Sequence, residues 1–445
     1  MHAAIPSDSV VTQHAAALSG AIAAWPAETR LALVRAADPA PDAGTAPRWT
    51  ILTAPVRATP IHDPAELPNL LAPRAPSAAS PGPAAPPFSA GRLLVLSYEL
   101  GAALEPTASP RKRGQPLGFV LDCPGALAFD HRTGAWSRVG HPEPPLPDPD
   151  CPRADASAFT IGQLRSESGR DAYTRAVRKA LDYIRAGDVY QVNLAHRLSA
   201  PFSGSPRALM SALLDTADPA CAFYAELPAH GARTTAICSA SPELFLSVDP
   251  ATRAVRTSPM KGTRPIAGDP DELRTAEKDR AELNMITDLM RNDLGRVCAF
   301  GSVRVERARS IEAHGNSVWQ ATSTIAGTLR EGVTAADLLG ATFPPGSITG
   351  APKIRAMQII DELEPAPRGF YCGSLGWLDD SGALSLNVAI RTATIQQDPQ
   401  LGGLLTYHAG AGIVADSDPD AEWDETVGKA GVLSRLCRDA DPASP

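Results

Sequence analysis

The sequence predicts an α+β protein that is built on antiparallel sheets. Its predicted strands and helices follow one another in an irregular order, without the steady alternation of strand and helix that a parallel sheet requires. The chain has 445 residues, of which 44% are hydrophobic. That length exceeds one ordinary core, so we expect either two domains or one large composite.

Each element is predicted from its periodicity or its composition. The segment 172–185 places Tyr173, Val177, Leu181 and Ile184 near one face, which is the spacing of an amphipathic helix. Further helices are predicted at 271–294, 335–339, 353–363 and 419–436. Short apolar and β-branched runs predict strands at 49–52, 93–98, 189–194, 244–248, 302–306 and 384–390.

The two ends of the chain differ in composition. Residues 1–160 are rich in Ala and Pro, with clusters such as 144–149 that disfavour regular elements. Strand-like runs lie between these clusters. We therefore predict a divergent, β-containing N-terminal region over 1–160, packed closely on the rest, and a second region with more regular elements over 161–445.

Charge and hydropathy exclude several classes of function. The net charge is −8, whereas nucleic-acid and acidic-membrane binding both need a basic surface. No run of about 18 apolar residues is present, so no membrane span is predicted. The first residues lack a basic stretch followed by an apolar one, so we expect no secretory signal.

The seven cysteines are scattered, and none forms a Cys-x-x-Cys pair. This pattern favours reduced thiols in a cytoplasmic protein over a disulfide framework or a zinc site. Histidines are equally dispersed, so any metal site would have to use carboxylates.

Lys261 is the first candidate for chemistry. It lies in Ser-Pro-Met-Lys-Gly-Thr-Arg-Pro, after a β-branched run and before a long acidic helix. Burial readily lowers the pKa of a lysine and turns the amine into a nucleophile or a base. The alternative is a solvated lysine in a turn, which is the commoner situation for this residue type.

Two pairs of carboxylates are candidates for a metal site. Asp279 and Glu282 stand three residues apart on one predicted helix, as do Glu422 and Glu425 on another, so each pair points to one side. Four such oxygen donors suit Mg²⁺. The alternatives are a solvated acidic helix for the first pair and a surface Glu425–Lys429 pair for the second.

Glycines and two further side chains complete the candidates. The segment 346–353 lacks the Gly-Lys-Ser/Thr ending of a phosphate-binding loop, although its N–H groups precede a helix. Gly410 and Gly412 permit close approach of a ligand to a strand. Arg391 interrupts an apolar strand, so we expect its guanidinium to bind a carboxylate from the protein or from a ligand. Tyr371 is either an ordinary core residue or a hydroxyl donor.

Several long motifs occur in an order that resembles the chorismate-utilising enzymes. This family includes anthranilate synthase component I, aminodeoxychorismate synthase component I, isochorismate synthases and salicylate synthases. The resemblance is strong over 168–436 and faint before residue 98. The motifs are Ser-Pro-Glu at 241–243, Lys-Gly-Thr-Arg-Pro at 261–265, Asp-Leu-Met-Arg-Asn-Asp at 288–293, the segment 343–353, Ile-Arg-Thr at 390–392, and the segment 409–429.

The resemblance implies a fold and a set of site residues. The fold would be that of anthranilate synthase component I, with two stacked antiparallel sheets flanked by helices and an active-site cleft between the halves. Residues 161–445 would form the chorismate-binding catalytic domain. The implied roles are the enolpyruvyl side of chorismate for Tyr371, Arg391, Gly410 and Gly412, proximity to the substrate for Gly262 and Thr263, the ring carboxylate for Mg²⁺ and Lys429, and the metal shell for Asp279, Glu282, Glu422 and Glu425.

Within the family, Lys261 indicates the branch that aminates C4 of chorismate. Anthranilate synthases carry alanine at this position, whereas aminodeoxychorismate synthases carry a lysine that attacks ring C2 and displaces the C4 hydroxyl. Isochorismate and salicylate synthases use a lysine here as a base that activates water. The resemblance makes Glu243 the acid/base carboxylate.

Several expectations about partners and alternatives follow from the same resemblance. Ammonia would come from a separate glutamine amidotransferase, and the product would lead to p-aminobenzoate and folate. Gln320 stands where many relatives have a histidine, which weakens the alternative of an anthranilate synthase because glutamine does not titrate. A third reading is a non-catalytic relative that binds chorismate, or binds tryptophan in the N-terminal region.

Overall fold

The computed structural model describes residues 17–37, 47–74, 85–105, 107–108, 116–142, 146–148, 158–314 and 318–437. Two antiparallel sheets form its centre, and helices cover their outer faces. The predicted α+β fold with two stacked antiparallel sheets is therefore confirmed. None of the described helices is both long enough and apolar enough to cross a membrane.

The strands are, in chain order, β1 (Ala32–Ala37), β2 (Pro47–Thr53), β3 (Arg57–Ile61), β4 (Gly91–Leu96), β5 (Gly118–Cys123), β6 (Gly125–Asp130), β7 (Ala135–Gly140), β8 (Phe159–Ile161), β9 (Arg165–Ser166), β10 (Gln191–Gly204), β11 (Cys221–His230), β12 (Arg233–Ser241), β13 (Leu244–Asp249), β14 (Ala254–Ser258), β15 (Met260–Pro265), β16 (Arg304–His314), β17 (Val318–Thr328), β18 (Gly350–Ala351), β19 (Ser374–Asp379), β20 (Leu384–Val388), β21 (Thr392–Asp398) and β22 (Gly402–Ile413). The helices are α1 (Leu67–Leu70), α2 (Glu99–Leu104), α3 (Gly169–Arg185), α4 (Pro206–Ala217), α5 (Asp271–Thr275), α6 (Glu277–Gly295), α7 (Ala335–Thr342), α8 (Lys353–Leu363) and α9 (Pro419–Ser434).

Both sheets contain strands from the two halves of the chain. The first sheet has the order β18-β10-β22-β21-β12-β11-β1-β2-β6-β7, with β8 and β9 also paired to β10. The second has the order β15-β17-β14-β13-β20-β19-β4-β5-β3, with β16 also paired to β17. Strands from before residue 160 extend both sheets. The domain boundary at that residue stays a prediction.

A buried apolar layer joins the two sheets. Val34 and Phe223 of the first sheet lie in one cluster with Val95, Leu121 and Trp377 of the second. Facing side chains from two stacked sheets form such a layer in β-sandwiches. Burial of these side chains fixes how the sheets lie on each other, and therefore where residues at their shared edge meet.

Helices cover the opposite face of each sheet. Leu209 of α4 and Leu433 of α9 belong to the cluster on the first sheet. Met290 of α6, Leu339 of α7 and Ile360 of α8 belong to the cluster on the second. The helices α6 and α9, which carry the two predicted carboxylate pairs, therefore pack on different sheets.

Two predicted elements differ from the structure for local reasons. The helix predicted over 271–294 is broken at Ala276, whose φ of −64° and ψ of 104° are extended, so α6 begins afresh just before Asp279. The strand predicted over 384–390 ends at Val388, because the chain leaves the second sheet there and enters the first at Thr392. The predicted start of α9 is confirmed, since Asp418 accepts from two backbone N–H groups of the first turn.

Candidate active site

Two short segments cross between the sheets side by side. One runs through Glu243, from β12 in the first sheet to β13 in the second, and the other runs through Arg391, from β20 to β21. The Val388 N–H donates to the Glu243 carbonyl at 3.0 Å, and the Ser241 hydroxyl donates to the Val388 carbonyl at 2.6 Å. The Ala240 N–H donates to the Arg391 carbonyl at 3.0 Å. These bonds hold both predicted site residues at the junction of the sheets.

Glu243 is held in a buried environment. Its residue surface is only 3% exposed, and the Ser347 hydroxyl donates to its Oε1 at 2.5 Å. Burial raises the pKa of Glu243 to about 7, against the opposing effects of the Ser347 bond and of Lys261 and Lys429. A carboxyl group with a pKa near neutrality can both hold and release a proton, which suits the predicted acid/base role.

Lys261 extends from β15 into the same junction. Its side chain is 14% exposed, and its Nζ lies 3.8 Å from Glu282 Oε2. Burial is the largest influence and lowers the pKa of the Lys261 amine; the nearby charge of Lys429 acts in the same direction, while Glu282, Glu243 and Glu425 oppose it. The structure therefore places the amine near acidic residues with which the sequence grouped it, in a setting where burial makes the charged form less favourable than it is in water.

Gly412 marks where Lys261 meets the first sheet. A Cβ atom at this position would lie 3.1 Å from Lys261 Nζ, 2.4 Å from Gln191 Nε2 and 3.2 Å from Asn193 Oδ1. Gln191 and Asn193 belong to β10, in which Asn193 pairs with Gly412. A side chain at 412 would therefore fill the space that these polar groups share.

Gly410 and Lys429 form a second contact between strand and helix. Lys429 Nζ donates to the Gly410 carbonyl at 2.9 Å and pairs with Glu425 Oε1 at 2.7 Å. The Glu425–Lys429 pair of the alternative interpretation is therefore present. Lys429 in addition binds β22, the strand that contains Gly410 and Gly412. A Cβ atom at Gly410 would lie 2.9 Å from Tyr371 Oη, so the tyrosine hydroxyl reaches this strand as well.

The four candidate metal ligands are not gathered into a closed shell. Asp279 Oδ2 lies 3.1 Å from Arg264 Nη2, and buried Glu422 accepts from the Ser417 hydroxyl at 2.6 Å. Across the described ranges, no three His, Cys, Asp or Glu side chains come close enough together to hold a metal ion. The charges of Glu282 and Glu425, one from each pair, nevertheless both oppose the lowering of the Lys261 pKa. Mg²⁺ usually takes one or two carboxylates and completes its shell with waters and substrate, so these oxygen donors still fit it.

Gly262 and Thr263 lie beside the first carboxylate pair. Gly262 has a φ of +76°, and a Cβ atom there would lie 2.9 Å from Asp279 Cγ. Both the left-handed backbone and the close approach therefore require glycine. Thr263 is exposed, and its Oγ1 accepts from Gln320 Nε2 at 3.2 Å.

Arg391 has the setting of a carboxylate-binding residue. Its φ is +50°, in the left-handed region. The sequence predicted a strand up to residue 390, whereas β20 ends at Val388 and Arg391 lies at the end of the crossing segment, just before β21. In the part of the chain that the structure describes, no acidic side chain forms an ion pair with it; burial lowers its pKa and Tyr407 opposes this. Tyr371 is buried and stacks on His408 at 5.1 Å between ring centroids.

Three polar residues at the junction had not been predicted as site residues. Gln191 and Asn193 had been assigned only to a strand, and Ser347 only to a glycine-rich loop. A glutamine that alternates with apolar residues in a buried strand is a signal that could have been used, because buried amides need partners. The bond from Ser347 to Glu243 joins positions 104 residues apart, and no local pattern encodes it.

Solved structures of enzymes share the fold described above. The crystal structure of anthranilate synthase component I from Streptococcus pneumoniae superposes with a TM-score of 0.73 and 27% identity, over 89% of this chain and 93% of that one. A putative isochorismate synthase from Bacillus anthracis, at 21% identity and a TM-score of 0.68, shares the fold.

The chain belongs to the chorismate-binding enzyme family. A model of this family matches residues 35–435 and so crosses the boundary that we predict at residue 160. Anthranilate synthase component 1 of Thermus thermophilus is 38% identical over 81% of this chain and 80% of its own length. Aminodeoxychorismate synthase component 1 of Escherichia coli is also 38% identical, over 79% and 78%. The protein is thus a chorismate-utilising enzyme, and overall identity does not separate the two branches.

The raised pKa of Glu243 predicts a pH-dependent stability effect of Glu243→Gln. The folded protein binds the Glu243 proton more tightly than the unfolded chain, whose pKa is near 4.5. Stability from this group is therefore full below about pH 4.5 and is lost as the pH rises through about 7. Relative to wild type, the glutamine variant should gain about 2 kcal/mol in free energy of unfolding between about pH 5 and pH 8.

Urea unfolding at the two pH values measures this difference. Glu331→Gln, at an exposed position, is the control and should show no such gain. An equal wild-type-to-variant difference at both pH values would contradict a raised pKa at Glu243.

Proposed function

We propose that the protein is component I of an aminodeoxychorismate synthase. It would convert chorismate and ammonia to 4-amino-4-deoxychorismate, on the route to p-aminobenzoate and folate. The observation that carries this proposal is the buried Lys261 amine at the junction of the sheets, 3.8 Å from Glu282 and next to the Gly412 backbone. The family resemblance gives anthranilate synthases an alanine at this position, which has no amine to offer.

The charges of the site suit a substrate with two carboxylates. Arg391 would bind the enolpyruvyl carboxylate, with the Tyr371 hydroxyl and the backbone of Gly410 and Gly412 on the same side. A guanidinium without a protein carboxylate has its donors available for such a group. Lys429 would help to hold the ring carboxylate at the other side, while Gly262 and Thr263 would lie near the substrate.

The two buried titratable groups would share the chemistry. The neutral amine of Lys261 forms a bond to ring C2, both ring double bonds shift toward C4, and the C4–O bond breaks. Glu243 supplies a proton so that the hydroxyl leaves as water, and the proton that the lysine nitrogen loses restores the Glu243 acid. Ammonia then bonds to C4, both double bonds shift back and the C2–N bond breaks, while the proton lost by the new C4 nitrogen passes to the departing Lys261 amine. A tethered amine has a large effective concentration and divides one difficult substitution into two steps.

Magnesium is the cofactor that we propose. Asp279, Glu282, Glu422 and Glu425 would hold it, directly or through water. When bound, Mg²⁺ would supply positive charge against the ring carboxylate of the substrate. The acidic residues near Lys261 otherwise repel a dianion, so a cation at this place removes an electrostatic obstacle to binding.

A glutamine amidotransferase is the partner that we propose as the source of ammonia. Relatives in both branches are named as component 1, which implies a second component in those proteins. A lysine nucleophile does not itself supply the nitrogen of the product, so the site needs ammonia from elsewhere.

The second candidate function is that of an anthranilate synthase. It is supported by relatives that are as similar as those of the first branch. Gln320 weighs against it, because its amide donates to Thr263 and cannot act as a general base, whereas anthranilate formation also requires loss of pyruvate and aromatisation of the ring.

The product of chorismate, Mg²⁺ and an ammonium salt at alkaline pH tests the choice directly. We expect mass spectrometry to show 4-amino-4-deoxychorismate, and an added lyase to convert it to p-aminobenzoate. Fluorescent anthranilate as the main product would establish the second candidate instead.

Lys261→Ala should abolish or sharply reduce aminated product while chorismate binding is retained, because the variant removes the nucleophile but none of the proposed carboxylate contacts. Product formation and equilibrium binding of chorismate measure the two effects. Lys179→Ala, which removes an exposed lysine from α3, is the control. Unchanged turnover in the Lys261 variant would rule out a covalent role.

Glu425→Gln should raise the Mg²⁺ concentration that gives half-maximal activity, since an amide is a weaker ligand for a hard cation than a carboxylate. A magnesium titration at saturating chorismate measures this midpoint. Asp424→Asn, on the neighbouring and largely exposed position of α9, is the matched control. An identical midpoint in both variants and wild type would remove Glu425 from the metal shell.

A further inference from the structure

His196 is a buried polar side chain that joins strand β10 to helix α9. The residue is 3% exposed, and its Nε2 lies 2.9 Å from the Oγ1 of Thr426, which is 0% exposed. The Thr426 hydroxyl gives its own hydrogen to the Trp423 carbonyl at 2.7 Å, so the ring N–H is the donor in the bond to His196. The other ring nitrogen, Nδ1, lies 2.9 Å from Ser166 Oγ. Both ring nitrogens are therefore bonded, and the ring is held in one orientation.

The imidazole ring also packs against the helix. Its centroid lies 4.7 Å from that of Trp423 in a stacked arrangement. Tyr173 of α3 contacts both rings, at centroid distances of 5.3 Å from His196 and 5.8 Å from Trp423. The residue thus contributes a hydrogen bond and the packing of a ring, and these two contributions can be separated by substitution.

The bond from His196 lies beside proposed site residues. Thr426 directly follows Glu425 and precedes Lys429 by three residues, so the three lie within about one turn of α9. The Lys429 amine donates to the Gly410 carbonyl at 2.9 Å, and His196 pairs in the sheet with the residue that precedes this glycine. Two bonds therefore join one turn of the helix to neighbouring positions of β10 and β22.

Apolar burial alone does not fix where a helix lies on a sheet. Ala430 and Leu433 pack α9 onto the first sheet, but the hydrophobic effect has no preferred direction and tolerates small shifts along the contact. A hydrogen bond weakens steeply when its length or angle changes. Because His196 and Thr426 are both buried, a shift that broke their bond would leave a donor and an acceptor without water. The bond therefore favours one position of the helix.

We propose that His196 is a positioning residue for α9. Its bond to Thr426 sets where the helix lies across β10 and β22, and thereby where Glu425 and Lys429 lie in the site. The inference rests on the proposed function, in which Lys429 helps to hold the ring carboxylate of chorismate. The groups proposed for the chemical step lie on other elements, so a displaced α9 weakens substrate binding more than it slows the chemistry.

Two substitutions separate the hydrogen bond from the packing of the ring. His196→Phe keeps an aromatic ring against Trp423 and removes the donor to Thr426, whereas His196→Gln keeps an N–H donor and removes the ring. With Mg²⁺ present, we expect the phenylalanine variant to raise the dissociation constant of chorismate on the order of 10-fold, the effect of one lost hydrogen bond to a charged group. Its kcat should be nearly unchanged, and the glutamine variant should bind chorismate as wild type does.

The partner residue provides a double-mutant cycle. Thr426→Val removes the hydroxyl and keeps the shape of the side chain, so it should weaken chorismate binding as much as His196→Phe does. The double variant should be no weaker than either single variant, because both substitutions remove the same bond. Thr426→Ser, which keeps the hydroxyl, is the matched control and should bind chorismate normally.

Hydrogen exchange of α9, measured without substrate or metal, tests the position of the helix independently of the reaction. The amides of residues 422–430 should exchange faster in His196→Phe and Thr426→Val than in wild type or in the two variants that keep the bond. The amides of α7, on the second sheet, should exchange at the same rate in all of them. If wild-type protein binds no chorismate, the proposed function fails, while this measurement still decides whether His196 holds α9.

Three results would overturn the proposal. Unchanged exchange and unchanged chorismate binding in His196→Phe would show that the bond does not position α9. Faster exchange with unchanged binding would show that the bond stabilises the helix without affecting the site. Equal losses of binding in His196→Phe and His196→Gln would show that the effect does not come from the hydrogen bond.

Discussion

The candidate site depends on the two segments that cross between the sheets beside each other. Main-chain and hydroxyl bonds join the segment through Glu243 to the one through Arg391, and the apolar layer between the sheets fixes how the sheets lie. Side chains on two different sheets can therefore approach one another at a defined distance. Lys261 arrives from the second sheet and Gly412 from the first, and neither sheet alone would place an amine next to a glycine strand.

Burial at this junction acts in opposite directions on acid and base. It disfavours the charged form of each group, so it raises the pKa of Glu243 to about 7 and lowers that of Lys261. One physical cause thus shifts the two pKa values in the directions that the proposed roles of proton donor and nucleophile require. Such pairs of oppositely shifted groups are typical of active sites. The same shifts make the folded state less stable, which is a common cost of functional sites.

The sequence predicted the parts of the molecule that depend on local patterns. The Pro419 start of α9, the extent of α8 and the strand that carries Gly410 and Gly412 follow from capping, periodicity and glycine placement. The break at Ala276 and the left-handed Arg391 were not predicted, because no proline or glycine marks either position and both result from the path of the chain between elements. The proximity of Gln191 to Gly412 and the bond from Ser347 to Glu243 were also not predicted, because they join residues far apart in sequence.

The distance between Lys261 and Glu282 is more informative than their opposite charges. A closed ion pair would stabilise the ammonium form and make the lysine a structural residue. At 3.8 Å the attraction opposes burial without overcoming it, so the pKa of the amine is still lowered. A nucleophilic lysine requires this imbalance, because only the neutral amine has a lone pair to donate. A tighter Lys261–Glu282 contact would therefore favour the ammonium form and make the amine less reactive.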